Sequence, residues 1–217
     1  GNNRRPAPGP KGTLVVFDTD RHASWRRPGD TELHLLNPPA AERGVPSRRI
    51  TYAPGPDERA VFAPAPNTVV WSRGENGRYR VVSSALRSGH GSLQVGRVST
   101  LRDGGSDWVA PLGWAPDART FAVVRGNPLG PAEVDAVDLG LGEDVPLVGS
   151  AVGSGALSFN ADGAWYVLAT ARRAAPAGLL PASLGFAVTP ALAGLDGEGA
   201  PFRGTEVFWG ATRGEAA

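Results

Sequence analysis

Cysteine and methionine are both absent from this 217-residue chain, and lysine occurs once, at Lys11. Without cysteine there is no disulfide, no thiolate metal ligand and no cysteine nucleophile, and the redox compartment is left open. Without methionine the initiator residue is gone, so the chain is expected to begin at a processed or trimmed end, as removal of a signal peptide would leave it. Histidine is scarce as well, with only His22, His34 and His90. Charge of one sign is missing too: 22 basic against 21 acidic residues leave a net charge of +1, whereas non-specific binding to nucleic acid or an anionic membrane rests on a basic excess. The least polar stretch, Gly178 to Leu195, is interrupted by Pro181 and Pro190. A spanning helix needs about 20 predominantly apolar residues, so neither a transmembrane segment nor a surviving signal sequence is visible.

What is present reads as a folded β-protein. Hydrophobic residues at 41% and charged residues at 20% are globular values, and the 30 glycines and 20 prolines fall between short β-branched and aromatic runs, which marks many turns. Gly1 to Gly12, with three prolines, predicts an extended arm outside the packed domain, which spans 13–217. Strands are expected at Leu14 to Phe17, Glu32 to Leu36, Arg49 to Ala53, Ala60 to Ala63, Thr68 to Trp71, Tyr79 to Ser83 and Leu93 to Val98. Further strands are expected at Trp108 to Trp114, Thr120 to Val124, Glu133 to Val137, Leu157 to Phe159, Trp165 to Thr170 and Thr205 to Trp209. Short strands at this spacing imply a sandwich, barrel or propeller.

A repeat discriminates among these. Gly113-Trp114-Ala115-Pro116-Asp117-Ala118 and Leu157-Ser158-Phe159-Asn160-Ala161-Asp162-Gly163 each place an aromatic before a tight polar turn and an apolar strand after it. With Trp71, Trp114 and Phe159 as equivalents the spacings are 43 and 45 residues, close to the roughly 40 to 45 of a four-stranded blade. A second register, headed by Tyr52 in Tyr52-Ala53-Pro54-Gly55-Pro56-Asp57, needs a long insertion. The Trp114 to Ala118 and Phe159 to Gly163 segments resemble the TolB-type β-propeller repeats, whose turn reads aromatic-Ser-Pro-Asp-Gly. Ala115 and Asn160 stand where that pattern has Ser, Ala161 where it has Pro and Ala118 where it has Gly. The resemblance implies an extracytoplasmic interaction scaffold whose motif residues are structural and transfer no active site.

Chemical candidates are few. His22 and His34 could face one another across a hairpin near Asp18 and Asp20, the constellation a two-histidine, one-carboxylate metal site needs, but the long basic loop Arg26 to Asp30 enforces no tight spacing and favours solvated surface histidines. Gly89-His90-Gly91-Ser92 lacks the spacing of a nucleophile and its base, and no Gly-x-Ser-x-Gly elbow occurs. Asp135 and Asp138 fall on opposite faces of one strand, and Gly149 to Gly155 precedes a strand pattern where a phosphate loop would open a helix. Trp25, flanked by Arg26 and Arg27 in a loop, is the expected exposed anchor, because Trp and Arg are enriched at binding hot spots.

The sequence therefore predicts an all-β, β-propeller-like domain of about four or five small antiparallel blades, with a β-sandwich as the alternative. The expected role is a non-enzymatic interaction or structural subunit of a cell-envelope complex, periplasmic, cell-surface or secreted. It would bind other envelope or extracellular proteins and no nucleic acid, and need no cofactor. The alternatives are a propeller enzyme with a metal site in its central channel, or a small-molecule or glycan binding module. A final expectation is that Leu14 to Phe17 pairs with Thr205 to Trp209 to close the ring.

Overall fold

The computed structural model describes residues 2–9, 12–23, 29–89, 92–115, 117–127, 131–152, 156–159, 165–172, 183–190 and 200–203. The chain divides into two compact units, Gly1–Pro111 and Leu112–Ala217.

In the first unit, β1 (Asn3–Pro8), β2 (Val15–Thr19), β3 (Glu32–Leu36) and β4 (Arg48–Arg49) form an antiparallel sheet in chain order, with one helical turn, α1 (Pro38–Ala41), between β3 and β4. A second sheet holds β5 (Asp57–Phe62), β6 (Thr68–Glu75), β7 (Arg78–Gly89) and β8 (Ser92–Val95), and β9 (Ser99–Gly105) pairs with the first half of β7. Val16, Leu33 and Leu35 of the first sheet meet Ala60, Val69, Trp71, Val82 and Leu86 of the second, with Ile50 between them. These residues follow the strand period of two, so burying one face of each sheet is what fixes the register. The β6–β7 hairpin turns at Asn76-Gly77, both at positive φ (52° and 75°), as a two-residue turn of this hand requires.

Residues 3–8, expected as part of a free arm, instead form an edge strand. Prolines set that expectation, but proline also enforces extended backbone, and here Pro6 sits in a bulge between Arg4 and Ala7, where a missing N–H costs no ladder bond. The chain then turns into β2 with Gly9 N–H donating to the Leu14 carbonyl at 2.8 Å. Gly9 is closely packed: a Cβ there would lie 3.0 Å from the Phe62 ring.

The second unit takes up the end of β10 (Trp108–Trp114), then β11 (Thr120–Gly126), β12 (Pro131–Asp138) and β13 (Glu143–Val152), which form one sheet in that order. Another meander follows: β14 (Ala156–Phe159), β15 (Trp165–Arg172), β16 (Ser183–Pro190) and β17 (Ala200–Arg203). Phe121, Val123, Val134 and Ala136 are buried, and the Trp114 and Phe121 rings stack with centroids 5.1 Å apart.

One turn recurs between the first two strands of three sheets. Gly9 donates to Leu14, Ala63 to Thr68 at 2.9 Å and Ala115 to Thr120 at 2.9 Å, and these donors stand 54 and 52 residues apart. The structural equivalents of Trp114 are therefore Phe62 and Pro8, each ending the first strand of its sheet. Trp71 lies inside the second strand, β6, and Tyr52 in the connection before β5, so neither heads the repeat. The expected closure by Leu14 to Phe17 also needs correction: β2 is paired on one side with β1 and on the other with β3. The Thr205 to Trp209 half of that expectation lies outside the described residues.

Candidate binding site

The first unit buries an unusual number of carboxylates. Asp18, Glu32 and Asp57 are fully shielded from solvent, and each meets a cation. Arg5 bridges Asp18 (3.2 Å) and Glu58 (3.0 Å). Arg49 pairs with Glu32, which also accepts from the Thr51 hydroxyl at 2.7 Å. Asp57 accepts the Trp71 indole N–H at 2.8 Å and two bonds from Arg73 at 2.7 and 3.0 Å. Glu58 takes the Trp108 indole N–H at 2.9 Å, and the Arg59 guanidinium lies 4.8 Å over the Trp108 ring. Burial raises the pKa of Asp18 and Glu32 against the pull of their arginines. Burial and the charge of Arg5 push Arg59 down to about 10, which leaves it a cation at neutral pH.

Arg5 and Arg59 are 54 residues apart, the spacing of Gly9 and Ala63. Both take left-handed backbone (φ 49° and 53°) inside the bulge of a first strand. Such strain is held only where the surroundings over-determine it, and here the buried carboxylates do so. These groups tie strands together.

The opposite face of the first sheet is different. Phe17 and His34 are register partners on β2 and β3, with ring centroids 5.6 Å apart. His34 Nε2 lies 3.0 Å from His22 Nε2, and its Nδ1 lies 3.2 Å from the Ser47 hydroxyl. Burial, then the charges of His22, Arg21 and Arg49, pushes His34 down to about 4. Burial, then Arg49 and Arg21, lowers His22 as well, so both imidazoles are neutral at pH 7. Beside them opens a cleft of about 510 Å³. Val15, Phe17 and Leu36 line it from the sheet, Ala41, Val45, Pro46 and Ser47 from the segment before β4, and Asn3, Arg4, Pro6 and Arg21 from the remaining sides.

His22 and His34 lie side by side, but Asp18 and Asp20 do not join them. Asp18 is register partner of Leu33 and turns to the buried face, where it meets Arg5. Asp20 accepts from Asn2 and Arg4. Among the described residues no group of three His, Cys, Asp or Glu side chains is arranged to hold a metal ion. Trp25, Arg26 and Arg27 lie outside the described residues. Ser47 and Arg21 were not singled out as site residues; Ser47 sits in irregular chain 13 residues beyond His34, with no motif to mark it.

Comparison with solved structures places the sheets in a known fold. TolB from Acinetobacter baumannii superposes with a TM-score of 0.61 at 15% identity, covering 89% of this chain and 42% of that one. The β-propeller domain of the Trilobed protease from Pyrococcus furiosus, described as having an open velcro topology, gives 0.51 at 12% identity, covering 92% and 56%. The fold is of the β-propeller type. Kuenenia stuttgartiensis hydrazine synthase gives 0.55 at 14% identity, covering 93% and 53%. Identities this low speak for fold alone, and the chain spans about half the length of these three chains. No protein-family model and no curated protein sequence matches it. Among the described residues of this propeller-type chain, no helix is long and apolar enough to cross a membrane.

Proposed function

We propose that this chain is a propeller-type interaction scaffold, a non-enzymatic subunit of a cell-envelope or extracellular complex. On this reading each of the four sheets among the described residues is one blade. The observation that carries the reading is the use of ionisable groups in the first unit: Asp18, Glu32, Asp57 and Glu58 are all bonded to arginines, indoles or a threonine of the same unit. Carboxylates spent on cross-strand bonds stiffen a scaffold and are withdrawn from acid–base chemistry. The propeller fold supports the same reading, because its stacked sheets present loops and edges suited to protein partners.

The test is purification of the tagged chain from the envelope fraction of its native source under mild detergent. A partner held at fixed stoichiometry through two orthogonal columns is the expected result. Recovery as a monodisperse monomer, or from the cytoplasmic fraction, would overturn the proposal.

A further inference from the structure

We propose that the cleft beside His34 binds a carboxylate carried on a compact apolar body. It is an open cleft whose volume, about 510 Å³, falls in the range of small-molecule sites, with a mostly apolar lining and a few polar groups. Phe17, Val15 and Leu36 supply the floor for the apolar body. Arg21 supplies the charge. It is exposed, it borders the cleft, and among the described residues no carboxylate pairs with it. Arg4 is the second cation of the lining, shared with Asp20 at 3.3 Å. Among the described residues no acidic side chain lines the cleft, so an anion meets attraction from the cations of the described walls.

The histidine pair gives the site direction. When His22 Nε2 donates to His34 Nε2, the His34 proton stands on Nδ1 and is donated to the Ser47 oxygen. The Ser47 hydroxyl hydrogen is then free to turn into the cleft. With the opposite tautomer, Ser47 donates to His34 and offers the cleft only lone pairs, which repel a carboxylate. A bound carboxylate therefore selects the Nδ1–H form of His34. Polycarboxylates and phosphates are poorer fits, because one unshared arginine and one hydroxyl match a single carboxylate.

The same chemistry is offered by a free organic acid and by the C-terminus of a peptide, and the test separates them. The probes are 3-phenylpropionate, its carboxamide, and a tetrapeptide ending in leucine with a free or an amidated C-terminus, each titrated into the ¹⁵N-labelled full chain. The expected result is saturable shifts at Phe17, Arg21 and Ser47, with the free carboxylate form bound at least about tenfold more tightly than the amide. The ¹⁵N shifts of His34 are expected to move toward the Nδ1–H tautomer. Arg21→Ala should remove most of the acid-over-amide preference and Ser47→Ala should weaken binding several-fold. Arg43→Ala, which removes the same charge from an exposed turn outside the cleft, should change nothing. Binding of phenylpropionate alone assigns the site to small acids, and binding of the peptide alone assigns it to C-termini. Equal affinity for acid and amide, or equal effects of Arg21→Ala and Arg43→Ala, would overturn the proposal.

Discussion

Removal of the Asp57 carboxylate tests how the first unit is held together. Asp57 is fully buried, and its two oxygens accept from the Trp71 indole and twice from Arg73. Trp71 is itself fully buried, and the Arg73 side chain is only 17% exposed. Asp57→Ala therefore strands a guanidinium and an indole N–H where water reaches neither well. Breaking a buried ion pair from one side costs about 3 to 5 kcal/mol, and the orphaned indole falls within that loss. Trp71→Phe keeps the ion pair and most of the ring, and should cost about 1 to 3 kcal/mol from the lost charge-assisted bond and the smaller ring. Because both residues share one carboxylate oxygen, the double variant should cost less than the sum by about 1 to 2 kcal/mol. Urea unfolding followed by far-ultraviolet circular dichroism reads these losses as shifts in midpoint at constant slope. An Asp57→Ala loss below about 1 kcal/mol, or strict additivity, would refute the claim that this network joins β5 to β6.

Gly9→Ala should destabilise by about 1 to 3 kcal/mol, since the new Cβ meets the Phe62 ring at 3.0 Å and the Leu14 carbonyl at 3.3 Å; thermal melts check it. Asp117→Ala should cost about 1 to 2 kcal/mol, because the carboxylate accepts from Arg119 N–H, Thr120 N–H and the Thr120 hydroxyl, while Asp117→Asn, which keeps an acceptor, should cost less in the same melts. The histidine pair predicts a pH dependence. With His34 at about 4 in the fold and 6.5 as its ordinary value, the unfolded chain binds more protons between those values, so this contribution to stability is complete above pH 6.5 and lost as pH falls toward 4. Its ceiling is about 3 kcal/mol. Asp18 and Glu32, raised by burial, act with the opposite sign at the acidic end, so the difference between wild type and His34→Gln across pH 4 to 7 isolates the histidine term.

The strands most legible in the sequence were those with apolar alternation and turn residues at both ends. Glu32–Leu36 and Trp108–Trp114 were read to the residue, and Thr120 was placed at the start of β11. β5 was read from Ala60, three residues late, because Asp57, Glu58 and Arg59 look like a surface turn; they are strand residues, the two carboxylates bonded to partners 14 to 53 residues away in sequence and the Arg59 guanidinium lying over the Trp108 ring. β1 was hidden by its prolines. The repeat was misaligned because aromatic residues were matched by type, placing Trp71 with Trp114. The conserved feature of the turn is a backbone bond, and at Phe62-Ala63-Pro64 it is made without the Asp that marks Trp114-Ala115-Pro116-Asp117. At the site, hairpin register pairs His34 with Phe17 and not with His22, and Ser47 and the cleft depend on where the segment after α1 returns, which no local pattern encodes.

Both the scaffold and the cleft rest on sheets that repeat one unit, joined at its first two strands by the same turn. Scalar couplings measured across hydrogen bonds test this directly, since each reports one donor nitrogen and one acceptor carbonyl. The account predicts couplings from Gly9 to Leu14, from Ala63 to Thr68 and from Ala115 to Thr120. Absence of any one of the three, or coupling of that amide to a different carbonyl, would contradict it.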